Sequence, residues 1–413
     1  MRAIMKIFIT IVFAVLFVGA PLLSASSAKE KHVFIGGVCA MTGPVSEQIV
    51  SGVLGMEDAF KYFNDHGGVD GVKITFKYHD NRYKVQEAVS IYKKFLSMKP
   101  IAFALWDGSA GHEALKGFMA KDKIPGIAMA MSDPQFYPPG WIFADSCSYG
   151  DQSAAFFDWY RSKWKKDRKI RIAYLTWNNP YGLAGYEEMK KYVASRGGEV
   201  VGIEFTTYAP TTVMPQLMKI KKLNPDYIWS NSYHPTIDVI LKEMAQAGMK
   251  TTLVGNTNHP TDAQIMISGA DLCEGYIGCQ PWYSEDYELK KDLPKAFLDL
   301  MKEAGTRRGG AKVHHQCYSR GWQHAMFYRE AIRLALKEVG YDNLNGDTLM
   351  KYGLLKIRNF FTPFTKMPAG LSNKDDRRLS PYVRFCEAKG GKSVPITGWL
   401  KAPWLKKEVE EGK

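Results

Sequence analysis

The sequence predicts an α/β protein of two lobes, each a parallel sheet flanked by helices. Three observations carry this. Apolar runs of strand length alternate with amphipathic helical stretches along most of the chain. They fall into two consecutive series, separated by a Pro-rich break at 138–146. Beyond 282 the pattern turns mainly helical with no strand series of its own, so this block is expected to return and complete the first lobe.

The first unit is a buried strand at 33–40, a Thr42-Gly43-Pro44 turn, a helix at 51–64 and a stop at Gly67-Gly68-Val69-Asp70-Gly71. Strands at 73–79, 101–105 and 126–131 continue the first series, with helices at 85–97 and 111–120 between them. The second series places strands at 171–176, 200–206, 227–230, 252–254 and 275–279. Its helices fall at 152–165, 183–195, 212–223, 236–247 and 261–267. The late block reads as helices at 288–304, 320–339 and 346–355, an exposed polar loop at 368–378 and a last strand at 382–386.

The N-terminus reads as a secretory signal peptide. Arg2 and Lys6 precede an apolar run at 7–23 and small residues at 24–28, with a cut after Ser26-Ser27-Ala28. A membrane anchor is the alternative, and the small-residue cleavage site weighs against it. No later segment approaches the ~20 apolar residues of a membrane span. Export makes a disulfide possible among the six cysteines; Cys273 and Cys279 are the closest pair, and buried thiols are the alternative. The net charge of +13 is spread through pairs such as Lys93-Lys94 and Lys190-Lys191. These read as a solvated basic exterior or as attraction for anions. No nucleic-acid motif accompanies them, so no nucleic-acid partner is expected.

In open α/β sheets ligands bind beyond the carboxyl ends of the strands, where helix N-termini offer unpaired N–H groups. Two first-lobe strand ends stand out. Trp106-Asp107-Gly108-Ser109 lets the backbone approach a ligand at Gly108, with Ser109 either capping the next helix or donating to the ligand. Ser132, after Ala128-Met129-Ala130-Met131, has the same choice. In the second lobe, Trp177, Tyr181 and Tyr233 fall in loops at strand ends, where they can wall a cleft or pack in a core. Catalytic and metal patterns are poor. His314-His315-Gln316-Cys317 has adjacent histidines that point apart, and no His-Glu-x-x-His or Cys-x-x-Cys is present. Asp107, Ser109 and His112 suggest a hydrolytic trio, but such trios are usually assembled from distant segments. No cofactor or metal and no enzyme activity is expected.

At this point the chain resembles the periplasmic leucine/isoleucine/valine-binding protein family, the type I solute-binding components of ABC transporters. The resemblance runs from about 33 to 277 and weakens through the helical block. It rests on Met41-Thr42-Gly43-Pro44, the Gly67–Gly71 stop, Tyr78-His79-Asp80-Asn81, Asn179-Pro180-Tyr181-Gly182, Tyr233-His234-Pro235, and Ala247-Gly248-Met249 with Gly255. It implies the two-lobed type I periplasmic binding protein fold with a three-segment hinge. The expected organisation is a signal peptide at 1–28, an N-terminal lobe at 29–144 and 282–379, and a C-terminal lobe at 145–281 and 380–413. Crossovers would fall near 144–146, 279–281 and 379–381.

Carried residue by residue, the resemblance puts the serine that binds a ligand carboxylate on Ser109. The backbone group that meets an ammonium falls on Ala130, and the hydroxyl contacting both groups on Ser132. The two aromatic contacts fall on Tyr181 and Tyr233. The acid that grips the ammonium should fall at or beside Thr257, where no carboxylate stands. A desolvated ammonium without a carboxylate costs on the order of several kcal/mol, and Asp107 is the available substitute. The expected ligand is therefore a small carboxylate-bearing solute, an organic or aromatic acid or an amide in preference to a branched-chain amino acid, with Trp106 and Trp177 suiting a flat apolar body. The implied role is capture in the periplasm and delivery to an ABC permease in the inner membrane. The alternative is a module that senses amides or amino acids and reports to a regulator.

Overall fold

The computed structural model describes residues 30–257, 259–283 and 316–412, with Lys295, Asp299 and Lys302 in addition. The expected signal peptide at 1–28, the expected helix at 288–304 and His314-His315 lie outside the described residues.

The first half of the chain alternates strictly. Strands β1 (Lys31–Cys39), β2 (Val72–Asp80), β3 (Ala102–Trp106), β4 (Gly126–Ala128) and β5 (Ile142–Ala144) are linked by helices α1 (Ser46–Asp65), α2 (Val85–Leu96), α3 (Ser109–Asp122) and the short α4 (Asp133–Phe136). They form a five-stranded sheet in the order β2-β1-β3-β4-β5, parallel throughout. Residues 33–39 of β1 are continuously buried because helices cover both faces of a parallel sheet.

The second half holds α5 (Tyr149–Ser162), β6 (Ile170–Trp177), α6 (Tyr186–Ala194), β7 (Gly198–Thr206), α7 (Met214–Lys222), β8 (Tyr227–Ser230), α8 (Thr236–Gln246), β9 (Thr252–Thr257), α9 (Asp262–Ser268), α10 (Ala270–Cys273) and β10 (Ile277–Cys279). After α11 (Gln316–Val339) come β11 (Tyr382–Val383), β12 (Phe385–Lys389), β13 (Lys392–Pro395), β14 (Leu400–Lys401) and α12 (Leu405–Glu410). The second sheet runs β13-β12-β10-β9-β8-β6-β7. Alternate residues feed opposite faces: Ile172 and Tyr174 join the core under α5 and α6, Ala173 and Leu175 the core under α7 and α8.

The chain passes between the sheets after Ala144, after Cys279 and again between Leu379 and Phe385. Helix α11 returns to the first sheet. The Tyr328 hydroxyl donates to the Phe103 carbonyl at 2.7 Å and accepts the Ile127 N–H at 3.0 Å. Against α1 the helices meet at glycines: a Cβ on Gly321 would lie 1.9 Å from the Gly52 carbonyl oxygen, and one on Gly52 1.8 Å from the Trp106 ring.

Several expectations change. The break at 138–146 contains β5, an edge strand too short to show periodicity. The expected exposed loop at 368–378 ends buried: Asp376, Arg377 and Arg378 are enclosed, and Leu379 N–H donates to the Ala144 carbonyl at 2.8 Å. Its charges satisfy one another, since Arg378 binds Asp376 and, from α5, Asp151, each at 3.0 Å. The final strand becomes an antiparallel hairpin, β12 with β13. The Cys273–Cys279 bridge is not formed. All six cysteines are buried thiols, with Cys273 packed in one core cluster and Cys279 in another.

Candidate functional site

The strand ends converge. In the first sheet, connections leave to either side of β1 and β3, and their carboxyl ends open the crevice in which such sheets bind ligands. A narrow cleft opens there. From the first sheet it is lined by Val45 and Gln48 after β1, Tyr83 after β2, Asp107, Gly108 and Ser109 after β3, and Met129 and Ala130 after β4. Tyr149, at the start of α5, and Tyr181 and Tyr233, after β6 and β8, close it from the second.

On the first side the centre is the start of α3, with Gly108 as N-cap and Ser109 as first helical residue. A side chain on Gly108 would collide with the Tyr83 ring at 2.5 Å, so glycine is what lets the tyrosine lie across the helix start. Ser109 is buried, and the first N–H groups of a helix favour negative charge. Asp107 is 2 % exposed, and its Oδ1 has no hydrogen-bond partner. Burial pushes its carboxyl up to about 7, against the opposing pull of the Gly108 N–H and Asn81.

Behind the lining lie two polar supports. Gln135, in the amide orientation that satisfies its neighbours, donates to the Ala130 carbonyl at 2.9 Å and to His112 Nδ1 at 3.0 Å, and accepts from the Ser132 N–H at 3.1 Å. Arg320 of α11 donates to the Met129 carbonyl and forms a buried pair with Asp145, which His324 also meets at 2.7 Å. This holds the β4 loop against the crossover after β5.

The far wall is aromatic. Tyr181 and Tyr233 stack with centroids 4.9 Å apart and planes within 3°, and Tyr149 meets Tyr181 edge-on at 5.0 Å. Each such pair contributes about 0.5–1.5 kcal/mol beyond burial. Trp177 buttresses both rings, at 5.6 Å and 5.9 Å. Tyr181 is fixed by Asn256, whose Nδ2 donates to its hydroxyl at 2.9 Å and to Asn231 Oδ1 at 3.0 Å. Burial raises all three phenols well above neutrality, so they act as neutral hydroxyls.

Of the residues singled out in sequence, Asp107, Ser109, Ala130, Tyr181 and Tyr233 lie in this lining, and Gln48 comes from the segment after the Thr42-Gly43-Pro44 turn. Three do not. Trp106 is fully buried under α1, where its ring fills the space over Gly52. Ser132 Oγ donates to Glu113 at 2.7 Å, and its N–H donates to Gln135 at 3.1 Å. Thr257 is enclosed within the second sheet, its N–H donating to Gln152 at 2.8 Å. The hydrolytic trio is not assembled either: the described ring contact of His112 is to Gln135, and burial lowers its pKa to about 4. Tyr83 and Tyr149 were missed. Tyr149 follows Ser148, and the Ser148-x-x-Asp151 capping box that opens α5 was the readable signal. The arrangement supplies hydroxyl donors, a helix start, aromatic faces and one acid, the equipment of a binding site.

A family model described as periplasmic binding protein matches residues 32–392. The Leu/Ile/Val-binding protein homolog 1 of Brucella abortus is 23% identical over 282 residues, covering 68% of this chain and 75% of the relative. Among solved structures, a branched chain amino acid ABC transporter from Thermus thermophilus with bound valine superposes with a TM-score of 0.79 at 21% identity, covering 91% of this chain and 98% of that one. A fatty acid ABC transporter substrate-binding protein from Thermomonospora curvata gives 0.76 at 17% identity, covering 91% and 94%.

Proposed function

The chain belongs to the periplasmic binding protein family, and from that premise we propose that it is the solute-capturing component of an ABC importer, acting in the periplasm on a small carboxylate-bearing ligand. The observation that carries the reading is that one lining draws on strand ends of both sheets, Asp107 to Ser109 and Ala130 on one side and Tyr181 and Tyr233 on the other. A ligand touching both sides gains contacts only when the lobes close, and such differential contact alone shifts a hinge equilibrium. The carboxylate is assigned to the start of α3 at Gly108 and Ser109, and the ligand body to the tyrosine wall. Delivery is to a permease in the inner membrane, residues 1–28 being removed on export. The resemblance to both a valine-bound structure and a fatty acid binder supports the class of role and leaves the ligand to the lining.

A thermal-shift panel of amino acids, aromatic acids, dicarboxylates and amides tests this, because a ligand that binds only the folded state raises the melting temperature. At least one carboxylate is expected to do so. Ser109→Ala should weaken its binding by about tenfold, the value of one hydrogen bond to a charged group, and Tyr181→Ala should weaken it by removing an aromatic face from the wall. The apo melting temperature of Ser109→Ala should stay close to that of the parent. A panel in which no carboxylate stabilises the protein overturns the reading.

A further inference from the structure

We infer that Arg320 couples the cleft to the hinge: its one buried guanidinium ties the β4 strand end beside the ligand to two of the segments that join the lobes, and solute capture is transmitted through it. Arg320 is a positioning residue in this role, since it does not itself line the cleft. The inference rests on the proposed function, capture by lobe closure, and names a residue through which closure acts.

Two observations lead there. First, Arg320, near the start of α11 and 1 % exposed, meets three separate parts of the fold. Its Nε and one terminal nitrogen grip the Asp145 carboxylate as a fork, the second contact at 2.8 Å. The same terminal nitrogen donates to the Met129 carbonyl. The guanidinium also lies 4.4 Å from the centroid of the Trp282 ring, a cation–π contact. Met129 belongs to the cleft lining. Asp145 follows β5 at the first passage between the sheets, and Trp282 follows β10 at the second. Second, these contacts continue outward. Beyond the first passage the Tyr149 N–H donates to the Met131 carbonyl at 2.9 Å, and Tyr149 lines the cleft from the second lobe. The Trp282 carbonyl accepts from Arg384, in the third passage, at 3.2 Å.

Charge compensation alone would not require this geometry. Asp145 needs one cation. Burial lowers the pKa of His324, so its contact with Asp145 at 2.7 Å is that of a neutral ring N–H, and Arg320 supplies the charge. A lysine would supply it too. What a lysine lacks is the rigid planar fork, with donors at fixed angles that hold a carboxylate and a carbonyl while the plane packs on an aromatic face. Leaving a buried bond to a charged group unmade is expensive. Met129 therefore cannot move with a bound ligand unless Asp145 and Trp282 move too or that bond breaks. The hinge between the lobes is the two-state element that such a network can bias.

The test is fluorine NMR on the mature chain labelled with 5-fluorotryptophan, the Trp282 resonance being assigned with Trp282→Phe. Leucine, phenylalanine, benzoate, 4-methylpentanoate and succinate are the probes, with dissociation constants from calorimetry. In the parent, a saturating probe should shift the Trp282 resonance, although Trp282 lies outside the lining. Arg320→Lys keeps the charge and loses the fork. Its affinity for that probe should fall about tenfold, and the Trp282 shift at saturation should drop to less than about half of the parent's. Arg320→Met should abolish the shift. Arg333→Met, which removes an exposed arginine from the same helix, should change neither quantity. Circular dichroism establishes that each variant is folded, and an Arg320→Met chain that does not fold leaves the decision to Arg320→Lys. A purely structural arginine predicts a lower melting temperature in Arg320→Lys with the Trp282 shift at saturation unchanged. That result, or a parent whose Trp282 resonance does not move on binding, overturns the inference and leaves the proposed function standing. Failure of all five probes to bind the parent removes both.

Discussion

Replacing Gly52 by alanine should destabilise the protein, although alanine is the better helix former. Gly52 lies inside α1, where the exchange by itself gains about 1 kcal/mol. The added Cβ, however, would stand 1.8 Å from one Trp106 ring carbon and 2.2 Å from the next. Reaching ordinary contact near 3.4 Å requires a relative shift of roughly 1.6 Å. The ring has no free direction, being fully buried with His324 at 4.8 Å and the Arg320 guanidinium at 5.8 Å. Overpacking of this kind costs about 1–3 kcal/mol, and the rigidity of the surroundings places this case at the upper end. The net expectation is a loss of about 2 kcal/mol. Gly117→Ala is the internal control. It lies within α3, exposed, with nothing within 4 Å of the added carbon, so only the helix term remains and stability should rise by about 1 kcal/mol. Urea unfolding followed by tryptophan fluorescence compares the two. Trp106 adjoins Asp107, so Gly52→Ala should also weaken ligand binding, whereas Gly117→Ala should not. A Gly52→Ala protein as stable as its parent would refute the reasoning.

Two further expectations follow. Arg378→Met leaves Asp376 and Asp151 buried without their cation and should cost about 3–5 kcal/mol at pH 8. In the wild type Arg378 helps hold Asp376 below its ordinary range, which stabilises the fold above the unfolded value and is lost as acid protonates the group. Without Arg378 both carboxyls are raised by burial, so the folded state takes up protons and the deficit should shrink between pH 8 and pH 4.5; a deficit independent of pH would count against the pairing. The six cysteines, all buried thiols, should resist a thiol reagent in the native protein and titrate as six in denaturant, whereas a count of four would reveal a disulfide.

The alternation of strands and helices was legible because it is a property of local periodicity. Residues 33–39 read as a central strand from their unbroken apolar run, and they are buried throughout. What failed did so for want of period or of partners. The three residues of β5 are too few to show alternation. Asp376 and Arg378 look like solvent-facing charges until Asp151, remote in sequence, supplies the partner that permits their burial.

The site divides along the same line. Asp107, Gly108 and Ser109 are contiguous, so the sequence alone located the helix start and the acid beside it, just as it located the tyrosines at the ends of β6 and β8. Which of these share a cavity is not a local property. Trp106 and Asp107 are neighbours in the chain, yet only the aspartate reaches the cleft, because successive side chains of a strand face opposite ways and α1 claims the tryptophan. Ser132 was taken by Gln135 and Glu113, and Thr257 by its sheet, through contacts no spacing rule encodes. Local periodicity and turn chemistry determined the elements and their order. Tertiary packing decided which of these residues line one cleft and which were claimed by the surrounding structure, because those contacts join segments remote in sequence.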